Sequence, residues 1–181
     1  LKALSIEGLT FDRSYKRYYP LGEVATHVVG KTDVDDRGIE GIELSQNYSL
    51  QGKSGSRAIL SDRKGNALQN LDYVSLPVVG KDIQLSLDSR LQYVAYKELK
   101  SAVSAHRAST GSLVILEASS GEILAMVNQP SYNPNARVTT HERGMKNRSV
   151  TDSYAPGSTV KPFVALAAIV EHQFQADTTI N

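Results

Sequence analysis

Two side chains in this sequence are spaced to do chemistry together. Ser158 and Lys161 lie three residues apart in Pro156-Gly157-Ser158-Thr159-Val160-Lys161-Pro162. On a helix, positions i and i+3 share one face, so a first-turn serine brings Oγ within reach of the lysine Nζ. Serine is a weak nucleophile at its own pKa and needs a base beside it. A neutral lysine serves, although deprotonating an ordinary lysine at pH 7 costs about 4.6 kcal/mol. Burial and the positive end of a helix both disfavour the ammonium. The same helix start aims backbone N–H groups at an oxyanion developing on an attacked carbonyl. Pro156-Gly157 lets the chain bend sharply ahead of the serine, and Pro162 is tolerated only near a helix start. The expected chemistry is acyl transfer through a seryl ester, with Ser158 as nucleophile and Lys161 as base.

The spacing alone carries little. With 20 serines and 10 lysines in 181 residues, chance supplies about one Ser-x-x-Lys pair. Ser61-Asp62-Arg63-Lys64 is a second one, in a polar turn with no helix behind it. Context separates the two. After Ser158, the residues Phe163, Val164, Leu166, Ala167, Ile169 and Val170 leave almost no polar face. They predict a helix from Ser158 to about His172, buried inside a domain. Such a helix needs more cover than residues 81–157 supply, so further domain is expected downstream.

The remaining elements must position that helix. Residues 1–80 read as loop-rich β structure: nine glycines punctuate short runs such as Val24–Val29 and Ser56–Leu60, and Asp62–Asn66 reads as a hairpin turn. Ile83–Leu87 alternates with period two and predicts a strand. Ser89 and Gln92 stand as N-cap and N3 of a capping box. The helix that follows buries Leu91, Val94, Ala95, Leu99, Ala102 and Val103 and ends near Ala105–Arg107. Ser112–Glu117 and Glu122–Val127 flank the turn Ala118-Ser119-Ser120-Gly121 and predict a hairpin, its first strand apolar on both faces. Residues 131–148 read as a polar surface loop.

Composition excludes several classes. The chain is 40 % apolar and 22 % charged, with net charge +1, so nothing points to nucleic acid. Without cysteine there is no disulfide, thiolate metal site or cysteine nucleophile. His27, His106, His141 and His172 show no ligand spacing and read as surface or capping residues. No metal and no cofactor are expected. No apolar run reaches the length of a membrane span.

The active-serine run resembles that of the penicillin-binding proteins, and the resemblance extends well beyond it. Arg17-Tyr18-Tyr19-Pro20-Leu21-Gly22 resembles the Arg-x-x-Pro-x-Gly box of the non-catalytic pedestal in class B members. Gly38-Ile39-Glu40-Gly41-Ile42-Glu43, followed by Leu50-Gln51-Gly52 and Gly55, resembles their next pedestal box. Thr110–Asn135, with Gly121–Met126 and Pro130-Ser131-Tyr132-Asn133-Pro134-Asn135, resembles the first hairpin of the transpeptidase domain and its following loop. Asn147-Arg148 resembles the pair leading into the active serine. The details are most similar to the division-specific class B proteins of Gram-negative bacteria.

That resemblance implies an α+β chain: a β-rich pedestal segment of dimerisation type over 1–80, then the N-terminal part of a transpeptidase domain over 81–181. The latter would hold an antiparallel sheet and the buried active-serine helix. It implies a serine D,D-transpeptidase that cross-links peptidoglycan stem peptides ending in D-Ala-D-Ala during septum formation. β-Lactams would acylate Ser158. It also implies division-complex membrane proteins as partners, and a place on the periplasmic face of the inner membrane with the anchor outside this segment. The family's Ser-x-Asn and Lys-Thr-Gly motifs follow the active serine. Ser45-Gln46-Asn47, Ser131-Tyr132-Asn133 and Lys53-Ser54-Gly55 match or nearly match them but precede it, and read as turn residues. Lacking those motifs, these residues by themselves are expected to be inactive. Two other readings stay open: a binding module for the division complex, or a related acyl-serine carboxypeptidase or β-lactamase.

Overall fold

The computed structural model describes residues 15–63, 67–136, 144–171, 175 and 177–179. The chain is α+β and divides into two compact units, Leu1–Val150 and Thr151–Asn181.

In the first unit, a turn of 3-10 helix at Gly22–Val24 leads into α1 (Thr26–Val29), followed by α2 (Gly41–Ser45) and α3 (Asn47–Leu50). The segment read as loop-rich β therefore holds short helical turns within 22–29 and 41–50, with an isolated β-bridge between Thr32 and Gly38, and Val24–Val29 is helical turn rather than strand. Its glycines serve close backbone approach. Gly30 has φ +81°, and a Cβ there would sit 1.8 Å from the Glu40 carbonyl oxygen; one on Gly41, at φ +57°, would sit 2.5 Å from that of Val28. Only glycine lets the end of α1 pass the start of α2.

The expected hairpin follows: β1 (Ser56–Ser61) pairs antiparallel with β2 (Ala67–Ser75), with bulges. Every side chain of β1 is exposed. No strand forms at 83–87, where Ser86 Oγ instead donates to the Ile123 carbonyl at 2.8 Å.

Helix α4 (Ser89–Ala105) ends where the pattern placed its end. Its cap is Asp88 rather than Ser89: the Asp88 carboxylate accepts from the N–H groups of Arg90 and Leu91, and these bonds hold its pKa down. Gln92 is thus free of any capping duty and is fully buried. Its Nε2 donates to the carbonyls of Val24 (2.7 Å) and Met126 (2.9 Å), and its Oε1 accepts from the Met126 N–H (2.9 Å). The buried face runs through Gln92, Ala95 and Tyr96, with Leu99 and Val103 partly buried, while Leu91, Val94 and Ala102 face out. The apolar pattern misplaced that face by one residue because a glutamine lies at its centre.

Helix α4 packs on the second hairpin, β3 (Gly111–Leu116) with β4 (Ile123–Gln129), paired from Gly111↔Gln129 to Leu116↔Ile123. Ala95, Tyr96, Ala125 and Val127 form the core, flanked by Val24, Leu99, Leu113 and Ile115. β3 is half-buried on alternate residues only; Val114 and Leu116 are exposed. The 130s loop is not a surface loop throughout: Tyr132, Pro134 and Gly144 are buried. α5 (Arg148–Thr151) spans the end of the first unit and the first residue of the second.

The second unit holds a 3-10 turn, Gly157–Val160, running into α6 (Lys161–Val170). The helix is present, but the expected burial is not: Phe163, Val164, Leu166, Ile169 and Val170 are 42–71 % exposed. Burying an all-apolar helix requires apolar partners on every side, and a unit spanning only Thr151–Asn181 supplies too few. Among the described residues, no helix is long and apolar enough to cross a membrane.

Replacing Gln92 by leucine should test the central amide. It strands two carbonyls and one N–H in the interior, so the protein should lose about 2–4 kcal/mol. Urea unfolding measures the loss; a change under about 0.5 kcal/mol would show that these bonds contribute nothing net.

Candidate functional site

Ser158 lies inside the 3-10 turn and Lys161 opens α6, so the α-helix starts three residues later than expected. The two residues stay three apart across one turn of backbone. A 3-10 turn has three residues per turn, so positions i and i+3 eclipse. The Lys161 N–H bonds to the Ser158 carbonyl, closing that turn. Pro162 occupies the first turn of α6, where its missing N–H costs nothing. Thr159 Oγ1 donates to the Pro156 carbonyl and ties the turn to the loop before it. Both Ser158 and Lys161 are exposed, so the desolvation expected for the lysine is not supplied by the described residues of this unit.

The other boxes singled out in the sequence meet in the first unit. Arg17 Nε donates to Glu43 Oε1 at 2.7 Å, and this bond holds the guanidinium charged. Glu43 is buried, so it needs that partner. The Tyr19 backbone and the Asn135 side chain exchange two bonds, N–H to Oδ1 at 3.0 Å and Nδ2 to carbonyl at 2.9 Å. Tyr132 donates its hydroxyl to Glu40 Oε2 at 2.5 Å; burial first, and this bond second, push the phenol pKa well up. Ser131 Oγ donates to the Glu23 carbonyl at 2.7 Å. Three boxes separated by up to about 115 residues of chain thus interlock through polar contacts. They build the scaffold rather than a ligand site.

His27 sits in this junction and is buried, contrary to its reading as a surface residue. Its Nε2 lies 2.6 Å from the Gly144 carbonyl. A carbonyl only accepts, so the neutral ring carries its proton on Nε2. The Tyr132 ring meets it edge-on at 5.9 Å. Burial lowers the His27 pKa below 6.5, and the bond to Gly144 offsets only part of that.

A second buried group escaped sequence reading altogether. Asn128 Oδ1 accepts from Ser112 Oγ (2.7 Å), the Ser149 N–H (2.9 Å) and Ser149 Oγ (2.9 Å), and its Nδ2 donates to Asn147 Oδ1 (2.9 Å). Asn147 Nδ2 in turn reaches the His27 carbonyl at 3.3 Å. One signal was available: Asn128-Gln129 interrupts an otherwise apolar strand, and a polar residue at a core position needs a partner.

The decoys have structural duties. Ser45 ends α2 and Asn47 starts α3, where its Oδ1 accepts from the Gly38 N–H; these are helix residues, not turns of a β segment. Asn133 Oδ1 accepts from the Asn135 N–H, and Lys53 pairs with Val78 in an isolated bridge. Ser61 ends β1, while Lys64, His141 and His172 lie outside the described residues. His106 is the C-cap of α4.

Comparison with known proteins defines the class. A family model for the penicillin-binding protein dimerisation domain matches residues 2–85, and one for the penicillin-binding protein transpeptidase domain matches residues 111–181. The chain belongs to the penicillin-binding proteins. It is 46 % identical over 93 % of its length to a probable peptidoglycan D,D-transpeptidase PenA of Neisseria meningitidis, covering 29 % of that protein. It is 39 % identical over its whole length to the peptidoglycan D,D-transpeptidase FtsI of Escherichia coli, covering 31 %. Among solved structures, penicillin-binding protein 3 of Mycobacterium tuberculosis in complex with aztreonam matches 91 % of the chain with 28 % identity and a TM-score of 0.73, over 33 % of that structure. The chain therefore spans about a third or less of the proteins it matches.

The lowered His27 pKa makes stability depend on pH. The unfolded chain binds a proton at about 6.5, before the folded protein does, so His27 favours folding above that pH and opposes it progressively as the pH falls. Urea unfolding at about pH 7.5 and about pH 5.5 should show a larger acid loss in the wild type than in His27→Gln. Equal losses would mean that folding does not lower the His27 pKa.

Proposed function

We propose that the whole protein is a peptidoglycan D,D-transpeptidase acting in septum formation, with Ser158 as its nucleophile and Lys161 as its base. The observation that carries this reading is the placement of Ser158 and Lys161 three residues apart across the turn that opens α6, inside the stretch matched by the transpeptidase domain. The names of the relatives support the substrate class, and the division-associated FtsI supports the setting.

In this mechanism Ser158 Oγ attacks the carbonyl of the penultimate D-alanine of a stem peptide while Lys161 Nζ takes its proton. The C–N bond to the terminal D-alanine breaks, and the proton goes to the leaving amine. The amine of a neighbouring stem then attacks the seryl ester, releasing Ser158 and forming the cross-link. A β-lactam enters as the donor does: its ring opens on Ser158 and leaves an ester that hydrolyses slowly. The residues of the Ser-x-Asn and Lys-Thr-Gly motifs would complete the proton relay and the oxyanion contact. Division-complex membrane proteins as partners, and the periplasmic face of the inner membrane as the location, belong to the same proposal. So does the division of this chain into a pedestal part over 1–80 and a transpeptidase part over 81–181.

The carboxypeptidase or β-lactamase reading accounts less well for the dimerisation-domain match over residues 2–85. A full-length protein containing this chain should be labelled by a fluorescent penicillin, and Ser158→Ala should abolish the label. Lys161→Ala should slow labelling by about a hundredfold or more. Labelling at the wild-type rate in either variant would overturn the corresponding role.

A further inference from the structure

Two successive turns of backbone share Ser158, and both lie within the second unit. The later turn is closed by the Lys161 N–H, which bonds to the Ser158 carbonyl. The earlier one runs from Pro156 to Thr159 and has Gly157 and Ser158 as its central residues. Its backbone bond, from the Thr159 N–H to the Pro156 carbonyl, is long at 3.4 Å. The Thr159 hydroxyl donates to the same carbonyl and makes the closer contact. A threonine that bonds back to a carbonyl one turn earlier forms a local bond, independent of any other element. Gly157 stands at φ +59°, and a Cβ there would meet no atom of the described residues within 4 Å. Packing therefore does not hold Gly157, and glycine has the most backbone freedom to lose. A closed turn sets φ and ψ of both its central residues. The second of these is the nucleophile.

We infer that Thr159 is a positioning residue for the acyl-transfer reaction: its hydroxyl, bonded to the Pro156 carbonyl, closes the turn that sets the backbone direction of Ser158. Thr159 takes no proton and holds no substrate; it acts through the backbone of the residue beside it. Removing one hydrogen bond shifts the balance between open and closed turn by about two- to tenfold. A nucleophile displaced by about 1 Å loses on the order of a hundredfold in rate. The acylation rate constant therefore follows the fraction of molecules in which the turn is closed. This inference rests on the role of Ser158 proposed above.

The test is stopped-flow acylation of the full-length protein by a fluorescent penicillin, resolving the binding constant K from the acylation rate constant k2. Thr159→Val keeps the branched shape and removes only the hydroxyl. It should lower k2 by more than about twofold while K stays within about twofold of the wild type. Thr159→Ser keeps the hydroxyl and should hold k2 within about twofold of the wild type. A residue that only stabilised the fold would lower the melting temperature and the labelled fraction, leaving k2 of the folded protein unchanged. A k2 for Thr159→Val within about twofold of the wild type therefore overturns the inference. So does an equal fall in Thr159→Ser, which would place the effect in the methyl group. If Thr159→Val does not fold, Thr159→Ala decides in its place: a lowered k2 that Thr159→Ser restores supports positioning, and a wild-type k2 overturns it. Ser158→Ala serves as the separate control, because label surviving there would refute the nucleophile assignment whatever Thr159 does.

Discussion

Buried amide side chains bonded to the backbone of distant segments are the constraint on which the first unit depends. Gln92 joins the 3-10 turn before α1 to strand β4 while standing on α4. Asn135 closes a two-bond pair with the Tyr19 backbone, and Asn128 gathers β3 and the start of α5. Buried polar groups must be paired, and a directional bond is made in only one arrangement. The apolar core of Ala95, Tyr96, Ala125 and Val127 is small. It supplies the driving force for burial, while the amides select which segments meet.

This changes the meaning of the sequence boxes. Here Arg17 neutralises the buried Glu43, Tyr19 and Asn135 exchange backbone-type bonds, and Gly30 and Gly41 let two chain segments approach closer than any Cβ permits. In this chain the boxes meet in one interlock. Ser158 and Lys161, on which the proposed chemistry rests, lie in the other unit, three residues apart across a single turn.

The part of this protein that its sequence determined by itself is local. The β3–β4 hairpin, the extent of α4, the β1–β2 hairpin and the helix after Ser158 followed from apolar periodicity and turn residues, which act between near neighbours in the chain. The helical spacing of Ser158 and Lys161 was equally legible, since i and i+3 are about one turn apart in either kind of helix.

Only the tertiary structure decided which way these elements face and what holds them. Periodicity counts apolar residues, so it set the buried face of α4 beside Gln92 rather than on it, and it buried α6, whose apolar side chains are exposed here. It read 22–50 as β because short helical turns have no periodicity long enough to detect. His27 read as a surface or capping residue and Asn128 drew no reading, because a polar side chain is buried only when a partner exists, and theirs, Gly144, Asn147 and Ser149, lie elsewhere in the chain. Burial of polar groups depends on contacts that no local pattern encodes, and so they come into view only once the chain is folded.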